Sequence, residues 1–511
     1  MHTKNLGKKT KIGIVYNTMA RLVGTFGQIV STIILARLLT PEDFGVVATA
    51  MMIIGFATKF GEFGFHMGLI QRKEEISPIH VNTLFAMDLA FKLILWLLVY
   101  FSAPAIAVFF NNSHLQQVLP VIAFYMILEC FSATPLTVLK REMNFKVTSI
   151  IGTIERFVTI FLAITLAALG KGYWSLVYSK LVGISTSALL AMSYTHWVPR
   201  FHVSRQAGRE LFRFGIMIFL RNLFRYGSDK VDYFFISKFL GPQALGFYEK
   251  AFELMRLPQR RLTRSVNRVI FSAFARIQDE PERIRKAFKK LILSISLVSY
   301  PMLGGLAFVA PLFIPIVLGH DWNPTVLPLQ IMCVAGILRS MDPFLNSLLT
   351  ATGYVKSTVT RRALEFALLA TATFIGVKHG IVGVAVGIVV SYFIVMFIMM
   401  SMITRVTTVT WWDYFGSQVP AFITTAGMLL SMYVNTLWLK MWIPEQGVWM
   451  LLAQVASGGI TYIGLHFVFR FKAVTSLIEE LSGDVQKVIK KIKRKAQRSP
   501  EKAQKEESVV V

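Results

Sequence analysis

The sequence predicts an all-α polytopic membrane protein of fourteen transmembrane helices, arranged as two parallel six-helix lobes plus two C-terminal helices. Three observations predict it. Apolar residues come in long runs, basic residues alternate between successive connections, and short motifs recur some two hundred positions apart.

The apolar runs come first. Of the 511 residues, 54% are hydrophobic and only 16% charged, against about 25% charged in ordinary soluble domains. Mean hydropathy is +0.56. Stretches such as Ala421–Met432 and Ile381–Met400 are apolar on every helical face, and runs of about 18 or more such residues read as membrane spans. The expected spans are 12–38, 43–69, 79–110, 115–139, 147–169, 173–195, 210–238, 243–275, 286–318, 324–350, 356–377, 380–402, 416–439 and 447–469. Arg21 interrupts the first apolar stretch and no small-residue cleavage site follows, so an uncleaved first helix is expected rather than a signal peptide. Cys130 and Cys333 both lie in apolar segments and read as small core residues.

Orientation follows from the connections. The N-terminal tail is basic, as is every second connection: Arg72 and Lys73; Lys140, Arg141 and Lys146; Arg200, Arg205 and Arg209; Arg276, Arg283, Arg285 and Lys286; Lys356, Arg361 and Arg362; Arg405. The alternate connections carry single lysines (Lys171, Lys378, Lys440) or none. Cytoplasmic loops keep the excess of Lys and Arg, so both termini are expected in the cytoplasm. The formal charge of +26 thus sets topology, and nucleic acid is not an expected partner. Beyond Arg470, apolar residues from Val474 to Ile492 recur at helical spacing among Lys487, Lys490, Lys491, Lys493, Arg494 and Lys495. That pattern predicts a basic amphipathic helix on an anionic membrane surface.

The recurring motifs give the repeat. ARLLTPEDFG (36–45) and SKFLGPQALG (237–246) share a cation, Leu, Pro and Gly at the same offsets: Arg37, Leu39, Pro41, Gly45 and Lys238, Leu240, Pro242, Gly246. Residues 103–120 and 310–328 both open on Ala-Pro and close on Leu-Pro. Several echoes in one order argue for duplication. The period covers six spans, an even number, so the copies run parallel. The expected divisions are 1–205, 206–404, an appended pair at 405–470 and a tail at 471–511. Two-lobed membrane proteins with this plan are usually transporters with a site between the lobes.

Ionisable residues within spans point to that site, because each costs roughly 2.5–3.5 kcal/mol on insertion scales unless paired or hydrated. Arg21, Lys59, Asp88, Glu129, Arg221, Arg225, Asp229, Asp232, Arg256, Arg260, Arg339 and Asp342 all lie within expected spans. Arg221 and Arg225 share a helix face, as do Arg256, Arg260 and Arg264. Guanidiniums in a row suit a phosphate-bearing ligand, since each stays charged and donates in pairs. Arg21, Arg221, Arg225, Arg256 and Arg260 are therefore the candidate anion-binding set. Lys59, Asp88, Glu129, Asp229, Asp232, Arg339 and Asp342 are candidate cavity or ion-coupling residues. Internal pairing and snorkelling to the inner interface are the structural alternatives, strongest for Arg264 and Arg268.

No GxxxxGK[ST] loop, HExxH or Cys/His metal spacing occurs. No catalytic residue, metal or cofactor is expected, and transport is favoured over catalysis. Residues 15–56, LIQRKE (69–74), LKREMNFK (139–146), KFLGPQALGFYEKAFELMRLP (238–258) and FARIQDEPERIRKAF (274–288) resemble bacterial polysaccharide flippases of the Wzx type. These belong to the multidrug/oligosaccharidyl-lipid/polysaccharide exporter superfamily, whose fold multidrug exporters share. The resemblance implies a monomer in the bacterial plasma membrane with a cationic cavity. It implies flipping of an undecaprenyl-diphosphate-linked oligosaccharide from inner to outer leaflet, with polysaccharide polymerase and chain-length machinery as candidate partners. A cation-coupled drug exporter of the same superfamily and a polytopic glycan-assembly enzyme are the alternatives.

Overall fold

The computed structural model describes residues 24, 27–61, 66, 69, 77–201, 203–204, 208, 225–353, 355–441, 447–469, 471 and 474–475. The protein is all-helical, and a helix occupies each of the fourteen expected spans. They are α1 (Gly27–Leu38), α2 (Pro41–Gly61), α3 (Pro78–Phe109), α4 (His114–Arg141), α5 (Phe145–Ala168), α6 (Trp174–Thr195) and α7 (225–239). Then follow α8 (Gly241–Arg276), α9 (Pro281–Phe313), α10 (Val326–Ala351), α11 (Val355–Gly376), α12 (Gly380–Val406), α13 (Trp411–Leu439) and α14 (Val448–Phe469). Among the described residues, nine helical stretches are long and apolar enough to cross a membrane, and they take in α3–α6 and α9–α14. Arg21, Arg221 and the tail beyond residue 475 lie outside the described residues.

Local chemistry sets the helix ends. Pro41, Pro78 and Pro281 open α2, α3 and α9, where a missing N–H leaves nothing unsatisfied. Thr40 and Asp43 close a capping box on α2: Asp43 N donates to Thr40 Oγ1 at 3.2 Å, and Thr40 N donates to Asp43 Oδ2 at 2.9 Å. Thr410 and Asp413 repeat it on α13, with distances of 3.2 and 3.0 Å. Prolines lie inside α3 (Pro104), α4 (Pro120, Pro135), α10 (Pro343) and α13 (Pro420), positions where helices bend. Helix α9 ends in a π-helical turn, Ile314–Leu318, and the chain reverses at Gly319 with φ 118°.

The chain divides into two compact units, each described by itself. One comprises Met1–Arg256, Ala310–Ala335 and Val355–Val395. Within it α3 packs on α4, α4 on α6 and α5 on α6, while α2 lies against α3 and α4. The other comprises Leu257–Val309, Gly336–Tyr354 and Met396–Val511. There α13 packs on α14, and Arg285 on α9 donates to Asp413 on α13 at 2.7 Å. Cys130 and Cys333 are free, buried thiols. Large apolar side chains such as Phe101, Phe161, Trp449 and Phe467 stand exposed, as expected where the neighbour is lipid rather than water.

Candidate functional site

The first compact unit holds three polar arrangements on otherwise apolar helices. The first lies inside the N-terminal helices. Lys92 on α3 is 1% exposed and reaches two carboxylates, Asp88 Oδ2 at 3.1 Å and Glu129 Oε2 on α4 at 3.2 Å. Asp88 is fully buried and also faces the His66 ring at 3.3 Å, while that ring contacts Thr137 Oγ1 at 3.0 Å. Asp88 and Lys92 meet because four residues make one helical turn. A buried ammonium between two carboxylates balances charge where solvation is poor. Asp88 and Glu129 are thus joined through a residue absent from the expected site set.

The second arrangement runs along α6, α7 and α8. Arg225 is largely exposed and lies 4.0 Å from Asp229. Asp232 is buried; Tyr248 Oη donates to its Oδ2 at 2.5 Å, and Tyr233 N to its Oδ1 at 2.9 Å. The Lys230 ammonium stands 3.3 Å above the Tyr233 ring. Glu253 accepts from Lys250 at 3.4 Å and from Gln28 of α1 at 3.2 Å. Arg256 lies over the Phe252 ring at 5.1 Å. Lys180 on α6 interacts electrostatically with Glu249, Glu253 and Glu155. Cations, carboxylates and aromatic faces alternate here, as suits a ligand bearing both anionic and hydroxylated parts.

Lys59 is half-buried in the last turn of α2. Arg260 falls on α8, but its side chain, like Arg21 and Arg221, lies outside the described residues. Arg339 and Asp342 are half-buried on α10 in the second unit, three residues apart on one face. Sequence reasoning did not single out Glu155, Arg156 or Lys180 as site residues. Each is an ionisable residue inside a predicted span, the same signal that selected the others.

The third arrangement is where α1 turns into α2 and α7 turns into α8. A Cβ on Gly45 would stand 2.5 Å from the Pro242 carbonyl carbon, and one on Gly246 would stand 2.7 Å from that of Pro41. Only glycine admits such an approach. Arg37 donates to the Ile316 carbonyl and, at 3.1 Å, to that of Val317. Lys238 donates to the Phe109 carbonyl at the end of α3. Buried Trp322 donates from Nε1 to Ala36 O at 2.9 Å and packs edge-on against Phe44. Lower on the same helices, Thr49 Oγ1 and Ser237 Oγ are 2.8 Å apart, and Tyr226 Oη donates to Met52 O at 2.9 Å.

Comparison with known proteins agrees with this architecture. Residues 34–327 match the model of a family described as polysaccharide biosynthesis protein. The lipopolysaccharide biosynthesis protein WzxC of Escherichia coli (strain K12) is 26% identical over 390 residues, 75% of this chain and 78% of that protein. The succinoglycan biosynthesis transport protein ExoT of Rhizobium meliloti (strain 1021) is 27% identical over 348 residues, 67% of this chain and 70% of that protein. Among solved structures, the lipid II flippase MurJ in an inward closed conformation superposes with TM-score 0.72 at 14% identity, covering 89% of this chain and 98% of its own. An inward-facing multidrug resistance MATE family transporter gives TM-score 0.58 at 16% identity, covering 77% and 98%.

Proposed function

The chain belongs to the polysaccharide biosynthesis protein family, and from that premise we propose that it flips an undecaprenyl-diphosphate-linked oligosaccharide across the bacterial plasma membrane. The observation that carries this reading is the ionisable surface spread along apolar helices α6–α8: Lys180, Arg225, Lys230, Lys250 and Arg256 with their carboxylate and aromatic neighbours. The diphosphate sits on Arg225 and Arg256, joined by Arg21, Arg221 and Arg260. The sugars occupy the hydrated, hydroxyl-seeking remainder of the surface, and the polyprenyl tail stays in the bilayer.

In this reading residues 1–205 and 206–404 act as two lobes that alternate access, with 405–470 appended beside them and both termini in the cytoplasm. The oligosaccharide-bearing relatives support the substrate class, and the alternation of basic loops supports the orientation. The buried Asp88–Lys92–Glu129 set and Asp232 are the candidate coupling groups in the first and second lobes. Bringing a charged head group through hydrocarbon without such a surface would leave its charge unpaired at great cost.

The test is glycan export in a strain lacking the chromosomal copy. Arg225→Ala with Arg256→Ala should abolish surface glycan while the protein stays at normal level in the membrane. Normal export by that double variant would refute the assignment of the anion site.

A further inference from the structure

We propose that the α1–α2 and α7–α8 turns form a double latch, exchanged between the two repeats, that seals the outer end of the transport path and must open for the substrate to leave. The word outer rests on the orientation argued under the proposed function. The latch itself rests on contacts inside one compact unit.

The contacts are reciprocal. Pro41 of the first repeat meets Gly246 of the second, and Pro242 of the second meets Gly45 of the first, at closely matching distances. Pro and Gly are four apart in both motifs, so each pair lies on one helix face. The cations follow the same exchange. Arg37, at the end of α1, holds the last carbonyls of α9 and its π turn, while Lys238, at the end of α7, holds the last carbonyl of α3. Helix C-termini leave such carbonyls without intrahelical partners, and a cation there is favoured by the helix dipole. The ends of α3 and α9 are themselves the second sequence echo, residues 103–120 and 310–328. Two repeated cations thus close on two repeated helix ends, each across to the other repeat.

Below the latch the seam between α2 and α7 continues. It passes through the Thr49–Ser237 hydroxyl pair and reaches Tyr226, whose ring would meet a Cβ on Gly55 at 2.7 Å. From Gly45 to Gly55 is about 15 Å of helix, roughly half the 30 Å hydrocarbon core. The seam is made of glycine contacts, hydroxyls and exposed cation–carbonyl bonds. Such a seam can part without pulling large side chains from a core, and because the two cations are repeat partners, one movement releases both.

The experiment uses the full chain in membranes, with Cys130→Ala and Cys333→Ala so that only introduced thiols react. Thr49→Cys with Ser237→Cys places two sulfurs where oxygens now stand 2.8 Å apart, close enough for a disulfide. Oxidation should block glycan export, and a reductant should restore it. Equal export by oxidised and reduced protein overturns the latch. Separately, Arg37→Ala with Lys238→Ala should raise the rate at which an impermeant maleimide, applied outside, labels Thr49→Cys. The expected rise is roughly tenfold, the loss of about one net hydrogen bond's worth of closure, and Arg37→Lys with native Lys238 should hold it near the starting rate. An unchanged rate, or labelling from the cytoplasmic face alone, overturns the proposal. Should the unaltered chain fail to support export, the transport reading falls instead, and the labelling rates still decide the latch.

Discussion

Replacing Gly45 with alanine tests the close approach of α2 to α8 directly. The new methyl would stand 2.5 Å from the Pro242 carbonyl carbon and 3.0 Å from its Cα, where ordinary contact begins near 3.4 Å. The obstacle is backbone in the first turn of α8, so no rotamer change relieves it. The two helices must separate by at least 0.9 Å, the difference between 2.5 and 3.4 Å. Overpacking of this kind costs about 1–3 kcal/mol, which shifts a two-state equilibrium by roughly 5-fold to 150-fold. The cost falls on the closed arrangement alone, because separation removes the clash. Thiol labelling of Ser237→Cys, buried at 1% exposure, should therefore quicken by a factor in that range. Gly246→Ala should do the same against Pro41, and the two changes together should be less than additive, since one separation relieves both. Gly152→Ala on α5 is the control, because a Cβ there meets nothing within 4 Å. If Gly45→Ala and Gly152→Ala label alike, the approach of α2 to α8 does not hold the helices closed.

Two further predictions concern stability. Lys92→Met leaves buried Asp88 beside Glu129 with no ammonium between them, and should cost about 3–5 kcal/mol, seen as a lower melting temperature in detergent; neutralising Asp88 to Asn and Glu129 to Gln in the same chain should recover most of it. Asp413→Ala removes the capping box of α13 and the 2.7 Å bond from Arg285, and should lower stability by about 1–2 kcal/mol, whereas Thr410→Ser, which keeps a capping hydroxyl, should change the melting temperature little.

Much of the fold is legible because the bilayer demands long apolar helices and penalises charge, and both demands act on composition. The apolar runs, the Pro at the start of α2 and the alternation of basic loops therefore need no tertiary information. The repeat is also legible, since Arg37 and Lys238 stand at matching offsets. What Arg37 holds is not legible: its acceptors, Ile316 and Val317, lie about 280 residues away and contribute only backbone carbonyls, which every residue type carries. The same holds for Gly45, whose partner is a proline backbone atom. Asp88 and Glu129 stand out singly as charges within spans, but their linkage through Lys92 depends on how α3 packs on α4. Lys180 reaches the carboxylates of α8 only by tertiary packing.

Pro41 against Gly246 and Pro242 against Gly45 is an isologous contact: i meets j, and j meets i. Two copies of a half-length, six-helix chain related by a two-fold axis would make it with a single proline and a single glycine. In the fused chain the two sides are free to diverge, and they have. One side caps its helix with Thr40 and Asp43; the other uses Gly241 at φ 83°. One side grips with a guanidinium and the other with an ammonium that also lies 4.3 Å above the Phe109 ring. Fusion thus turns a symmetric dimer contact into an asymmetric one, in which the two halves need not let go with equal ease.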